Sequence, residues 1–335
     1  MNVGPGKVLI VIPTLNEAAH IGAVIEGLRP FCQHAAVAAR DVSVIVVDGG
    51  SSDATRPIVG AATLPNGALH LLDNPARIQG AAVNLAVQRF GDAAEWLIRV
   101  DAHAVYPGDY CDVLLNEAAV TGADSVVVAM RAVGRTPFQR AVALAQNTRI
   151  GNGGAAHRIG AAGKVVDHGH HALMRVSAFR AVGGYDPAFS HNEDAELDLR
   201  LGAAGGKIWL TGRTGLDYLP RDTAFSLIRQ YRNFGRGRAQ TLIKHQIRPR
   251  MRQAVVIAVV PAVLLAVLGF VHPMFALPAA VWLAGCLGGG LALALRGHGW
   301  TGLAAGGVAA LMHLAWSFGF WTGLFRRAPA QRAAP

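Results

Sequence analysis

Short unbroken runs of apolar, mostly β-branched residues recur through the first half of the chain, each closed by a polar turn and followed by residues with helical spacing. The runs are VLIVI (8–12), VSVIVV (42–47), ALHLL (68–72), WLIRV (96–100) and SVVVA (125–129). Between them helices are predicted up to about Phe31, after Ser51, Ser52 or Asp53 as cap, from about Gly80 to Phe90, and beyond Pro107. Unbroken rather than alternating runs mean burial on both faces. The pattern therefore predicts an α/β fold with a mostly parallel sheet flanked by helices. Farther on, the Gly- and His-rich stretch 151–174 reads as a mobile loop near a ligand. SHNEDAELDLRLGAAGG (190–206) reads as a helix opening near Glu193 and ending at Gly205, with Leu197 and Leu201 on one face, and KIWL (207–210) as a short strand.

The pattern changes near residue 253. Gln253 to Leu295 contains no Lys, Arg, Asp or Glu, and a second uncharged run covers Gly297 to Phe325. At about 1.5 Å per helical residue, the first run alone could cross a hydrocarbon core of about 30 Å twice. Two or three C-terminal transmembrane helices are expected within 253–325. Three crossings would leave the tail outside, although Arg326 and Arg327 favour the inside, so a re-entrant segment stays open.

Charge sharpens this division. Of the net +10, residues 1–220 contribute −2, whereas 221–252 hold nine basic side chains against Asp222 alone. The excess is juxtamembrane, where basic residues mark the cytoplasmic side and attract anionic lipid, and this argues against nucleic acid as a partner. The expected organisation is a cytosolic domain (1–220), a basic juxtamembrane segment (221–252) and membrane helices, placed in the inner membrane as a multi-pass protein. Three scattered cysteines (Cys32, Cys111, Cys286) suit a reducing compartment, and Val8 to Ile12 is too short for a signal-peptide core.

In open parallel sheets ligands bind beyond the carboxyl ends of the strands. Asp48 ends one strand, in VIVVDGGSSDAT, and Asp101 holds the matching place after WLIRV. Together they suggest a site, although either alone could cap a turn or helix. The first strand lacks a following G-x-G-x-x-G, which argues against a dinucleotide oxidoreductase.

Four motifs then stand in order: IPTLNE (12–17), DGGSSDAT (48–55), DAH (101–103) and NED (192–194). They resemble family 2 nucleotide-sugar glycosyltransferases of the GT-A fold over roughly residues 7–240. RVDAHA and QNTRIGNGGAAHR are similar to bacterial exopolysaccharide glycosyltransferases of the succinoglycan type.

The resemblance implies roles. Pro13, Thr14, Leu15 and Glu17 line the nucleotide crevice, and Asp48 bonds the base, commonly uracil, by accepting its imide N–H. Asp101 and Ala102 meet the donor, while Asp101 and His103 approach a divalent metal, Mn or Mg, that neutralises the departing diphosphate. His103 stands where the family usually has a second Asp; a loop histidine bonded to backbone is the other reading. Arg77 is placed for diphosphate or base, or is a surface charge, and Gly80 lets backbone come close.

In NEDAELDLR the second acid, Asp194, is implied as the base that takes the acceptor proton, with Glu193 beside it. The same residues also make an ordinary helix start, with Asn192 as cap and Glu196 paired with Arg200. RQYRNFGRGR sits where processive synthases carry Gln-x-x-Arg-Trp. Gln230 is kept, but Asn233 and Phe234 replace the Arg and Trp, which favours one sugar per encounter. Arg232 and Arg236 could hold the diphosphate of a lipid-linked acceptor or serve as a topology signal. His170 and His171 are expected over the acceptor; with His168 they invite a zinc reading, but no cysteine partner or helical i, i+4 pair accompanies them.

The function so implied is a membrane-attached, metal-dependent, inverting glycosyltransferase moving a hexose, glucose from UDP-glucose, to a lipid-linked sugar in exopolysaccharide assembly. A polyprenyl-phosphate or other lipid acceptor is the near alternative. A non-catalytic nucleotide-sugar-binding membrane protein, which would keep Asp48 without needing Asp194, is the distant one.

Overall fold

The computed structural model describes residues 6–154 and 163–325. In chain order the strands are β1 (Lys7–Thr14), β2 (Val42–Asp48), β3 (Leu69–Asp73), β4 (Ala94–Arg99), β5 (Ala104–Val105), β6 (Ser125–Ala132), β7 (Lys164–Val165), β8 (His170–Arg175) and β9 (Ile208–Tyr218). The helices are α1 (Ile21–Val37), α2 (Thr55–Ala61), α3 (Gln79–Phe90), α4 (Tyr110–Thr121), α5 (Pro137–Gln146), α6 (Arg149–Asn152), α7 (Val176–Ala181), α8 (Glu193–Ala203), α9 (Ala224–His245), α10 (Met251–Ile257), α11 (Val259–Ala266), α12 (Leu277–Leu293) and α13 (Gly299–Leu324). The described residues of Met1–Arg131 with Gly160–Tyr218 make one compact unit, and those of Ala132–Ile159 with Leu219–Pro335 a second.

The first unit is built on a nine-stranded sheet in the order β3-β2-β1-β4-β8-β6-β9-β5, with β7 paired to β9. β3, β2, β1 and β4 run parallel. Alternate residues explain the unbroken runs: Val8, Ile10 and Ile12 of β1 pack with Ile21, Ile25 and Leu28 of α1, whereas Leu9 and Val11 face Val83 of α3 and Leu197 of α8. The register sets Thr14 level with Asp48 and Asp48 level with Asp73, so three strands end along one edge.

β8 lies between β4 and β6 and is antiparallel to both, which makes the sheet mixed. Its residues were expected within a mobile loop. HHALMR is buried from His170 to Met174, and His171 is wholly buried. Two histidines masked the apolar pattern, because only the neighbouring strands and α8 supply their burial and partners. Residues 155–162 of the predicted loop lie outside the described residues, as do Arg326 and Arg327.

The expected cap of α2 is also replaced. Its N-cap is Ala54, with no side-chain cap bond. Ser51 donates instead to Asp48, and Asp53 accepts from the backbone N–H groups of Thr55 and Ala18.

In the second unit, Ala141, Val142 and Ala145 of α5 and Leu227 of α9 pack with Ala305, Val308, Ala309 and Met312 of α13. Basic α9 is thus a packed helix. A Cβ added at Gly235 would collide with the carbonyl oxygen of Trp316, and one at Gly319 with the carbonyl of Arg232, so the two backbones touch. Gly235→Ala is expected to force these helices apart at a cost of about 1–3 kcal/mol, read as a lower thermal midpoint of the purified protein.

α12 and α13 form an antiparallel pair. Gly290 abuts Gly306, and Gly302 abuts Ala294, around a turn in which Gly297 takes φ 99°. Met251–Phe270 and Pro273–Leu324 are long and apolar enough to cross a membrane. Leu264, Phe270, Leu277, Val281, Leu287, Leu291, Leu295 and Trp300 point outward and are exposed.

Candidate active site

A cleft of about 200 Å³ opens at the carboxyl edge of the parallel strands. Pro13, Thr14, Leu15 and Glu17 line it from the end of β1 and the loop after it, Val47 from β2 and Gly49 just after it, Asn74, Arg77 and Ile78 from the β3–α3 connection with Gln79 at the start of α3, and Asp101, Ala102 and His103 from the loop after β4. Most of the residues predicted to meet a nucleotide sugar are therefore gathered in one place.

The loops around this cleft hold their shape at a cost. Asn16 (φ 56°) and Arg77 (φ 58°) both adopt the left-handed region. Asn tolerates it, but for Arg it costs on the order of 1–2 kcal/mol. Asn16 is fixed by donating from its N–H to Ser51 Oγ and by accepting from the Ser52 N–H, both at 2.8 Å. Arg77 is held by Asn74, whose carbonyl accepts its N–H and whose side chain donates to the carbonyl of Ile78.

Asp48 and Gly80 do not line the cleft. Asp48 is 1% exposed. One of its oxygens accepts from the Ser51 hydroxyl, the other from the N–H groups of Gly50 and Ser51 and from Arg56 at 3.0 Å. Burial opposes ionisation, but these donors overcome it and hold the carboxyl below its ordinary range. Gly80 admits a neighbour within the unit, since a Cβ there would lie 3.0 Å from Cβ of Tyr185.

At the cleft wall, Ile98 of β4 pairs with Leu173 of β8, and continuing that antiparallel register brings His170 level with Asp101. His170 Nε2 is 3.4 Å from Asp101 Oδ2. Arg99 joins Asp101 to Asp194: its guanidinium donates to both oxygens of Asp194, at 2.5 and 3.2 Å, and its Nε lies 3.6 Å from Asp101 Oδ1, which also accepts from Gln79. Motifs more than 90 residues apart thus converge on one buried cation.

Electrostatics separates the acids. Burial pushes Asp101 and Asp194 toward the neutral form, but Arg99 outweighs it, with His170 helping at Asp101 and His171 and His170 at Asp194, so both sit well below the ordinary carboxylate range. Glu193 goes the other way, pushed up to about 7 by burial and by the charge of Asp194. Burial lowers the pKa of His170. The α8 start has Asn192 at the cap position but in the left-handed region (φ 68°), without a side-chain cap bond, and the expected Glu196–Arg200 pair is present.

Gln230, Arg232 and Arg236 lie on α9 in the second unit and are not among the residues lining the cleft. Arg99, Tyr185 and Asp198 were not singled out from sequence. Signals existed: a charge inside the buried run LIRV, and Asp198 one helical turn after Asp194.

Asp101 and His103 offer two donors. Among the described residues no group of three or more His, Cys, Asp or Glu side chains could hold a metal ion. Two donors fit a cation bound mainly through substrate phosphates and water rather than in a protein cage. His103 Nδ1 is 3.1 Å from Glu17 Oε1, a contact able to orient the ring.

A crevice at the carboxyl edge of a mixed sheet, an acidic loop after β4 and a carboxylate at the start of α8 define a GT-A glycosyltransferase. The chain belongs to glycosyl transferase family 2, whose pattern matches residues 9–183. It is 51% identical over 321 residues to the succinoglycan biosynthesis protein ExoA of Rhizobium meliloti (strain 1021), covering 95% of this chain and 96% of that one. Among solved structures it is similar to GalNAc-T7 crystallised with UDP, GalNAc and Mn2+, with a TM-score of 0.52 and 13% identity over 78% of this chain; the match spans about half of that longer chain, 51%. This second likeness shows the fold.

Proposed function

We propose that this glycosyltransferase moves a hexose, glucose from UDP-glucose, with inversion onto a lipid-linked sugar at the cytosolic face of the inner membrane, as one step of exopolysaccharide assembly. The observation that carries the reading is Arg99 holding Asp101, at the donor cleft, and Asp194, at the start of α8, on one guanidinium. The relative named for succinoglycan biosynthesis supports the pathway class. The outward apolar side chains of α11, α12 and the start of α13 support a lipid surround, because apolar surface of that extent is unstable in water.

In this reading Pro13, Thr14, Leu15 and Glu17 cradle the nucleotide, and Arg77 faces the diphosphate. Asp48, with its oxygens already engaged, acts through the loops it fixes; a uracil N–H would have to displace one of its present donors. Bound at Asp101 and His103, a divalent metal would neutralise charge on the leaving phosphates. Asp194 removes the acceptor proton. His170 and His171 were expected over the acceptor, but both are buried, His171 completely, so they act from behind Asp101 and Asp194. Gln230, Arg232 and Arg236 are assigned to the diphosphate of the lipid-linked acceptor.

The test is a donor and acceptor screen on membranes carrying the full chain, with and without manganese. Transfer from UDP-glucose to a lipid-linked sugar is expected; transfer only to polyprenyl phosphate would replace the acceptor assignment, and no transfer from any UDP-hexose would reject the donor. His103→Asp restores two hard carboxylates and is expected to lower the metal concentration for half-maximal UDP release by roughly tenfold, measured by metal titration.

A further inference from the structure

Behind Asp194, hydrogen-bonding groups form a line that leads to the surface. The Tyr185 hydroxyl lies 3.2 Å from Asp194 Oδ1 and 2.7 Å from Nδ1 of His171, and that nitrogen is itself 3.4 Å from the same carboxylate oxygen. Across the ring, Nε2 of His171 is 2.8 Å from Asp198 Oδ1. Asp198 Oδ2 is 2.9 Å from Nδ1 of His168. The side chains of His171 and Asp198 have no exposure at all, whereas that of His168 is 28% exposed.

A buried imidazole–carboxylate pair is a costly way to join a strand to a helix, since packed apolar side chains of similar volume do so without desolvating charge. The line also answers a difficulty. Asp194 is held so firmly ionised by Arg99 that it is a weak base, and a weak base works only if something behind it draws the proton onward. The geometry points to Tyr185, His171, Asp198 and His168 as a proton exit path that restores Asp194 after each transfer.

This deepens the function proposed above and rests on Asp194 as the base. The acceptor O–H breaks and its proton goes to Asp194. Asp194 then gives a proton to Tyr185 as the Tyr185 hydroxyl proton moves to Nδ1 of His171, leaving an imidazolium against Asp198. The Nε2 proton passes to Asp198 Oδ1, the carboxylic acid turns to present it to Nδ1 of His168, and the Nε2 proton of His168 leaves to water. Asp194 is then a carboxylate again, while His171 and His168 carry their proton on Nδ1 and, with the Tyr185 hydroxyl, must turn back to their starting tautomer and orientation before the next transfer.

His171 must be neutral to accept. It faces Asp194 and Asp198 from α8, Arg99 from β4, Tyr185 from the segment before α8, and His170 on its own strand. Burial lowers its pKa, but Asp198 and Asp194 more than offset this and raise it above that of ordinary imidazole. Turnover should therefore rise with pH through a raised acid limb.

The experiment measures UDP release from UDP-glucose by membranes carrying the full chain, over a pH series, for wild type, Asp194→Asn, Asp198→Asn and His168→Ala. With Asp194→Asn inactive, His168→Ala should turn over roughly tenfold more slowly with unchanged donor KM and recover on adding imidazole. In Asp198→Asn the acid limb should move to lower pH, because the carboxylate that raises His171 is gone. A His168→Ala enzyme with wild-type turnover and pH profile, or one that slows without imidazole rescue, would overturn the path while leaving the transferase reading standing. Turnover retained in Asp194→Asn would overturn the base and the path together. Because His168 is at the surface, its variant keeps the test open even if Asp198→Asn fails to fold.

Discussion

Asp194→Asn is expected to keep donor binding and to lose turnover by about 10²–10⁴-fold, the range typical of removing a general base. Asp194 does not line the donor cleft, and the amide oxygen can still accept from Arg99 and Tyr185, so donor binding is kept; the NH2 faces the second donor of the Arg99 fork, and the amide cannot accept a proton. Binding of UDP-glucose and single-turnover release of UDP separate the two effects. Glu193→Gln supplies the comparison. Glu193, whose pKa burial and the charge of Asp194 push upward, is the neighbouring carboxyl that would substitute. A larger loss in Glu193→Gln than in Asp194→Asn would transfer the base to Glu193.

The largest structural effect is expected from Arg99→Met. Arg99 is 4% exposed and is shared by Asp101, Asp194 and the Tyr185 hydroxyl. Removing one partner of a buried ion pair leaves uncompensated charge, which typically costs about 3–5 kcal/mol. Here two carboxylates lose their cation. Denaturant unfolding of the solubilised protein should show that loss at neutral pH. The pH dependence fixes its origin: the folded-state pKa values of Asp101 and Asp194 are depressed, so their contribution is complete above the unfolded value of about 3.9 and drains as pH falls toward the folded values. In Arg99→Met both acids titrate higher, and the variant should regain stability as pH falls through the range where they take up protons. A loss of stability equal at every pH would mean that Arg99 acts by packing alone.

Arg99 also marks the limit of reading the chain in one dimension. LIRV is a buried strand interrupted by a charge, and neither hydropathy nor the neighbouring DAH motif says where that charge finds partners. Asp194 lies 95 residues away, and only the folding of the start of α8 against the end of β4 makes the two meet. The same holds for His170 and His171. Locally they look like part of a mobile Gly- and His-rich loop, yet the insertion of β8 between β4 and β6 turns them into buried neighbours of Asp101, Asp194 and Asp198. For Asp48 the motif located the loop correctly, while the bonds to Ser51, Gly50 and Arg56 show its carboxylate turned into the structure.

By itself the sequence determined the alternation of strands and helices, the strand ends where polar loops gather and the apolar C-terminal quarter, because each depends on burial pattern and turn chemistry within a few residues. The tertiary structure alone decided which acids share a cation, which histidines are buried and how α9 meets α13. Those outcomes depend on strand order and helix crossing, which bring together groups that no local pattern connects.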